Sequence, residues 1–359
     1  MKKIPLILSL ILIISLLAGC AGTPVVYYTD CTCPADVHTV VDTPVTPEVP
    51  VADGALKTGL YIGTSVKDSK SAAADADGEA KYDVTMVAVL VDENGVIQDC
   101  IIDGISTSIK FDANGAFIGD LSDAPQTKNE LGDAYGMRKA SKIGAEWNEQ
   151  AAAFADFAVG MTVEKLRNGA ISESGYAHEG SDLAASATIN LGGYAAAIEE
   201  AVNNAQYLGA QAGDTLKLAA ITKIDSSTTA TAESDGNAQL DVDVIAMTMK
   251  DGVITSATID SVQAKVSFDG TGTITSDVTA PVATKNELGE NYGMVAWGNA
   301  KAEWNEQAAA FAAYITGKTP AEVAGIAITE ATKPADADLA ASVTISIIGF
   351  QNLIAKAAK

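Results

Sequence analysis

The chain has 359 residues, 48% hydrophobic and 19% charged, which is enough to bury real cores and too long for one ordinary domain. Acidic residues outnumber basic ones by 46 to 23, and the resulting net charge of -23 excludes nucleic acid as a partner. Arg138 and Arg167 are the only arginines, and His38 and His178 the only histidines. Bidentate anion clamps are therefore scarce, and neither a His-built metal site nor a His-based triad can be assembled in each half.

Residues 1–20 read as an export signal. Lys2 and Lys3 precede an apolar run, Ile4 to Leu17, that is too short and wrongly flanked for a stable membrane span. Leu17-Ala18-Gly19-Cys20 resembles a bacterial lipobox, which predicts diacylglycerol on the Cys20 thiol and a lipid-anchored place on the extracellular face of the cell membrane. Residues 21–55 read as an extended tether, because Thr43-Pro44, Thr46-Pro47 and Val49-Pro50 favour polyproline-like backbone. Cys31-Thr32-Cys33 lacks a second pair to complete a metal site, and a disulfide across one residue would be strained. Cys100 reads as a small core residue.

The remainder is one unit written twice. Thr127-Lys128-Asn129-Glu130-Leu131-Gly132 recurs as Thr284-Lys285-Asn286-Glu287-Leu288-Gly289, and Tyr135-Gly136-Met137 as Tyr292-Gly293-Met294, at an offset of 157 residues. Glu146-Trp147-Asn148-Glu149-Gln150 recurs as Glu303-Trp304-Asn305-Glu306-Gln307, and Asp182-Leu183-Ala184-Ala185-Ser186-Ala187-Thr188 as Asp338-Leu339-Ala340-Ala341-Ser342-Val343-Thr344. Such a period is too long for a solenoid and predicts tandem domains over 56–208 and 215–359, joined by a short linker at 209–214.

Within each half the pattern predicts an antiparallel strand meander followed by helices, an α+β fold. Val84–Val91 and Val96–Ile105 flank the turn Asp92-Glu93-Asn94-Gly95, with a second turn at Asp112-Ala113-Asn114-Gly115. Leu240–Met249 and Val253–Val262 flank Lys250-Asp251-Gly252, followed by the turn Phe268-Asp269-Gly270. Asp75-Ala76-Asp77-Gly78 has the start of a calcium loop but Met86 at its twelfth position, so it reads as a turn. Trp147, Ala151, Phe154 and Ala158 fall at helical spacing before Gly160, as do Trp304, Ala308, Phe311 and Ile315 before Gly317. The two tryptophans read as core residues rather than stacking platforms for a ligand. Thr319-Pro320-Ala321-Glu322 opens a further helix.

The Asp-to-Thr block is the best candidate for chemistry. Each copy lies between a loop and an amphipathic helix, marked by Tyr194, Ile198, Val202 and Ala205 or by Phe350, Leu353, Ile354 and Ala357. A threonine just ahead of a helix would set whatever it carries against free N–H groups, an arrangement that suits phosphate without arginine. Ordinary capping by Ser186, Thr188 and Asn190, or by Ser342, Thr344 and Ser346, is the simpler alternative, but it does not account for retention of the whole string.

Both blocks resemble the flavinylation motif of the FMN-binding domain family, Asp-x-x-Ser/Thr-Gly-Ala-Ser/Thr, in which FMN is joined through its phosphate to the last hydroxyl. Asp182 and Thr188 match the first and last positions, as do Asp338 and Thr344. Ala185 and Ala341 replace the usual hydroxyl residue, Ser186 and Ser342 replace the glycine, and Val343 replaces the alanine. With signal, lipobox and tether, the duplicated set resembles flavinylated lipoproteins of Gram-positive extracellular electron transfer. The resemblance implies two FMN groups in phosphoester linkage to Thr188 and Thr344, attached by an FMN transferase, with Asp182, Asp338, Ser186 and Ser342 in the cofactor sites. It also implies a membrane quinone-linked donor and extracellular acceptors such as ferric iron or free flavins. Tyr135, Met137, Tyr292 and Met294 are candidates for contacting the isoalloxazine ring, and they read equally well as loop anchors. The chain then reads as an electron carrier rather than an enzyme, since a flavin enzyme would need convergent Arg, His or Lys groups for its substrate. The rival reading is a cell-surface binding or structural lipoprotein with degenerate FMN-binding domains.

Overall fold

Asx-type hairpin turns set the sheets of the computed structural model, which describes residues 53–359. The signal, Cys20, Cys31, Cys33 and nearly all of the tether lie outside the described residues. β1 (Lys57–Ser65), β2 (Gly78–Val91), β3 (Ile97–Phe111) and the two-residue β4 (Phe117–Ile118) form an antiparallel sheet in that order. Between β2 and β3 the Asp92 carboxylate accepts the N–H groups of Asn94 (2.8 Å) and Val96 (2.9 Å), while Gly95 carries φ 75°.

The chain then turns helical through α1 (Lys128–Leu131), a 3₁₀ turn at Gly132–Tyr135, α2 (Trp147–Ala158), α3 (Val163–Ala170), α4 (Asp182–Ser186) and α5 (Gly192–Asn203). The scheme is then repeated. β5 (Thr215–Lys223), β6 (Gly236–Lys250) and β7 (Val253–Phe268) form a second antiparallel sheet. After it come α6 (Lys285–Leu288), a 3₁₀ turn at Gly289–Tyr292, α7 (Trp304–Ile315), α8 (Pro320–Ala324), α9 (Ala337–Ser342) and α10 (Ile348–Ala357). The fold class is α+β. Both sheets carry a register shift one turn short of the hairpin, at Leu90/Val91 and at Thr248/Met249.

The long apolar runs of the central strands are explained by burial on both faces. Along β2, Val84, Met86, Ala88 and Leu90 face the other sheet, while Val87, Val89 and Val91 face the helices of the first half. Along β6, Val242, Val244 and Ala246 face the sheet partner, and Ile245 and Met247 face the helices of the second half. The layers therefore run helices, sheet, sheet, helices. Phe111 and Phe268 stack at the sheet–sheet interface with centroids 4.0 Å apart and planes 4° apart. Tyr82 Oη donates to Ala238 O at 2.8 Å across the same interface. Residues 209–214 are packed rather than free, since Leu56 N donates to Ala210 O at 2.9 Å and Ala210 is buried.

The strands extend beyond the predicted limits, and β1 and β5 are additional to those expected. Trp147 and Trp304 are buried at 3% and 6% exposure, as their place on apolar helix stripes predicts. Thr319 caps α8 through a complete capping box with Pro320 at its start. The Cys100 thiol is buried, and desolvation pushes its pKa up, which keeps it protonated and unreactive.

Candidate functional site

The repeated blocks converge at one place in each half. α2 opens with a capping box in which Glu146 and Glu149 exchange bonds with each other's backbone N–H groups. That places the buried Glu146 carboxylate at the helix start, where it also accepts the N–H groups of Met137 (2.8 Å) and Arg138 (2.9 Å). One turn on, buried Gln150 reaches the Asp-to-Thr block. Its Oε1 accepts both the Thr188 N–H (2.8 Å) and the Thr188 hydroxyl (3.1 Å), and its Nε2 donates to Ala145 O (3.1 Å). The second half repeats every part. Glu303 accepts from Met294 N and Val295 N at 2.9 Å each, and Gln307 Oε1 accepts Thr344 N (2.7 Å) and Thr344 Oγ1 (3.0 Å).

Around this clamp lies an aromatic shelf with a lysine over it. Lys128 Nζ stands 4.8 Å from the Trp147 ring centroid and 5.3 Å from that of Tyr135; Lys285 Nζ stands 4.7 Å from Trp304 and 5.2 Å from Tyr292. Burial pulls the Lys285 pKa down, opposed by the charges of Asp243, Asp241 and Asp260. Burial raises Tyr135 and Tyr292. The lysines are positioned by α1 and α6, whose second residues bond back to the sheet. Asn129 N donates to Asp103 Oδ1, and Asn286 N to Asp260 Oδ1, each at 3.0 Å. Burial raises both aspartates, Asp260 to about 6, while the Thr284 hydroxyl and backbone N–H groups pull the other way.

The first five residues of each block form the short helix α4 or most of α9. One expectation about the block is corrected: the threonines do not sit directly at the N-termini of the longer helices, since α5 begins at Gly192 and α10 at Ile348, and the threonines are held by glutamine instead. The N–H groups leading into α5 are already taken, since Leu191 and Gly192 both donate to Gly175 O. Capping is not the role of the serines, because Ser186 Oγ donates to Leu183 O (3.2 Å) and Ser342 Oγ to Leu339 O (3.3 Å). Asn190 does accept the Gly192 N–H, at 3.1 Å. Serine in the place of glycine costs no strain, since neither Ser186 nor Ser342 has a positive φ and each closes a helical turn.

Thr188 and Thr344 are half-buried, while Asp182 and Asp338 are exposed in the first turns of α4 and α9. Tyr135 and Met137 are partly buried against the helix-side core of the first half, and Tyr292 and Met294 against that of the second. The site also contains residues that sequence reasoning left unassigned, namely Lys128, Glu146 and Gln150 with Lys285, Glu303 and Gln307. Their signal was retention of Thr-Lys-Asn-Glu and Glu-Trp-Asn-Glu-Gln in both halves. No protein-family model, curated protein or solved structure matches the chain.

Proposed function

We propose that the chain is a lipid-anchored electron carrier of the extracellular face, built from two copies of one FMN-binding unit, with FMN in phosphoester linkage to Thr188 and Thr344. An FMN transferase would attach the groups, a membrane quinone-linked partner would supply electrons, and ferric iron or free flavins would accept them. The observation that carries this reading is the shared glutamine clamp: two Asp-to-Thr blocks present their threonine hydroxyls in one geometry although the intervening sequences differ. The residues fit the group. Esterification removes the hydroxyl proton and so one of the two bonds to Gln150, but the Thr188 N–H still donates to the same Oε1, so the segment stays fixed. Asp182 and Asp338 are solvent-facing, where a transferase can use them. When bound, the isoalloxazine supplies the redox chemistry, and a covalent link prevents its loss by dilution outside the cell.

Intact-mass measurement after co-expression with an FMN transferase tests the reading. Wild type gains two additions of FMN less water, Thr188→Ala and Thr344→Ala gain one each, and the double variant gains none. An unmodified wild-type protein from a host with active transferase refutes it.

A further inference from the structure

The two candidate sites share a backbone and differ in charge. Gly136 and Gly293 end their 3₁₀ turns at φ 80° and 82°, and the next two N–H groups in each half bind the buried glutamate at 2.8–2.9 Å. On that common frame, residues 133–149 carry Arg138, Lys139 and Lys142 against Asp133, Glu146 and Glu149, so bases and acids balance. Residues 290–306 carry Lys301 alone against Glu290, Glu303 and Glu306. Val295 stands where the first half has Arg138, and Trp297, 84% exposed, where it has Ala140.

Arg138 is held in place. Its Nη2 donates to Asp133 Oδ1 (2.7 Å) and its Nη1 to Gly144 O (2.9 Å), and Nη1 pairs with Glu149 Oε2 at 3.0 Å. Those partners raise the guanidinium pKa further, so its charge is permanent. The link to Thr188 is short: Met137 Sδ lies 3.9 Å from Gln150 Nε2, and Gln150 Oε1 3.1 Å from Thr188 Oγ1. A lysine stands over the tryptophan in both halves, and around Lys285 the charges of Asp241, Asp243 and Asp260 add to the surplus of acids in the second.

We infer that the Arg138 loop makes Thr188 the higher-potential flavin site and leaves Thr344 the lower, so that the sites form a graded pair instead of two equal stores. The inference rests on the flavin attachment proposed above. Two electrons and one proton added to an isoalloxazine leave one extra negative charge. A charge-balanced loop accommodates that charge better than one with a surplus of acids. Arg138 is 44% exposed, so solvent and salt screen its effect. We therefore expect a bias of about tenfold, which for a two-electron couple is about 30 mV.

The test uses full-length protein with one flavin in each variant, Thr344→Val keeping the Thr188 site and Thr188→Val keeping the other. Dithionite supplies the electrons, buffer the proton, and visible absorbance against indicator dyes gives the midpoint. The Thr344→Val protein should have the higher midpoint. Adding Arg138→Val should lower it, adding Val295→Arg to Thr188→Val should raise that one, and both shifts should shrink as salt rises. Equal midpoints, or shifts indifferent to salt, overturn the inference while leaving attachment intact. Absence of the flavin mass in both single variants overturns attachment and this inference together. Val295→Arg adds a side chain at an exposed position, so loss of folding cannot mimic its expected gain.

Discussion

Replacing Gln307 with leucine removes the clamp while keeping the volume of a side chain that is 1% exposed. Three hydrogen bonds go: those from Thr344 N and Thr344 Oγ1 to Oε1, and that from Nε2 to Ala302 O. A buried donor left without an acceptor costs about 1–3 kcal/mol. Thr344 is only half-buried and water can reach part of it, so the sum falls near 2–4 kcal/mol. For a unit of about 300 residues that is a fall in melting temperature of about 3–6 °C. Thr344→Val is the internal comparison. It removes the hydroxyl bond alone and should cost about 1 kcal/mol, because Gln307 still holds the N–H. Urea unfolding followed by fluorescence suits the measurement, since Trp304 opens the same helix as Gln307. FMN occupancy at residue 344, read by peptide mass, should fall in Gln307→Leu while residue 188 stays filled. Equal stability of Gln307→Leu and wild type, or a larger loss in Thr344→Val, would refute the reasoning.

Phe268→Ala and Phe111→Ala should each cost about 3–5 kcal/mol, since both rings are fully buried. The double variant should lose less than the sum, because the two share one stacked contact, and strict additivity in denaturant titrations would rule that coupling out. Asp260→Asn tests a pH effect whose sign follows from a raised folded-state pKa of about 6. Between the unfolded carboxylate range near pH 4 and pH 6 the folded state binds more protons, so wild-type stability falls as pH rises through that window. Asparagine keeps the oxygen that accepts from Ser261 N (2.7 Å) and Asn286 N (3.0 Å). The variant should therefore be more stable than wild type by about 3 kcal/mol at pH 7.5, with the advantage gone at pH 3.5. A pH-independent difference in unfolding midpoints would show that Asp260 is not the group responsible.

What the sequence revealed follows from the range of its signals. Turn chemistry is local, so Asp92 and Asp251 announced their hairpins, and the helix beginning at Trp147 announced its buried face through residues three and four apart. β1 escaped because Gly59 and Gly63 look like strand breakers. Gly59 is there for a long-range reason: a Cβ at that position would lie 2.0 Å from Ala201 O on α5. The Asp-to-Thr block was legible as a repeated string, but its geometry was not, since the residue that fixes Thr188 is Gln150, on another helix. The same holds for Asp103 and Asp260, whose partners in α1 and α6 lie 26 residues further along the chain. Duplication identified which residues mattered without saying what they touch.

The sheet-on-sheet layer sets a condition on how this molecule can be divided. Cut between residues 208 and 215, either half would present Phe111 or Phe268, with its neighbouring valines and alanines, as one wet apolar wall. Such fragments should be insoluble alone and should re-form the native layer when mixed, in the manner of split reporters. Within the intact chain the same wall joins the sheets of both halves in one buried cluster, so the spacing of the two threonine sites is tied to side-chain packing between the sheets.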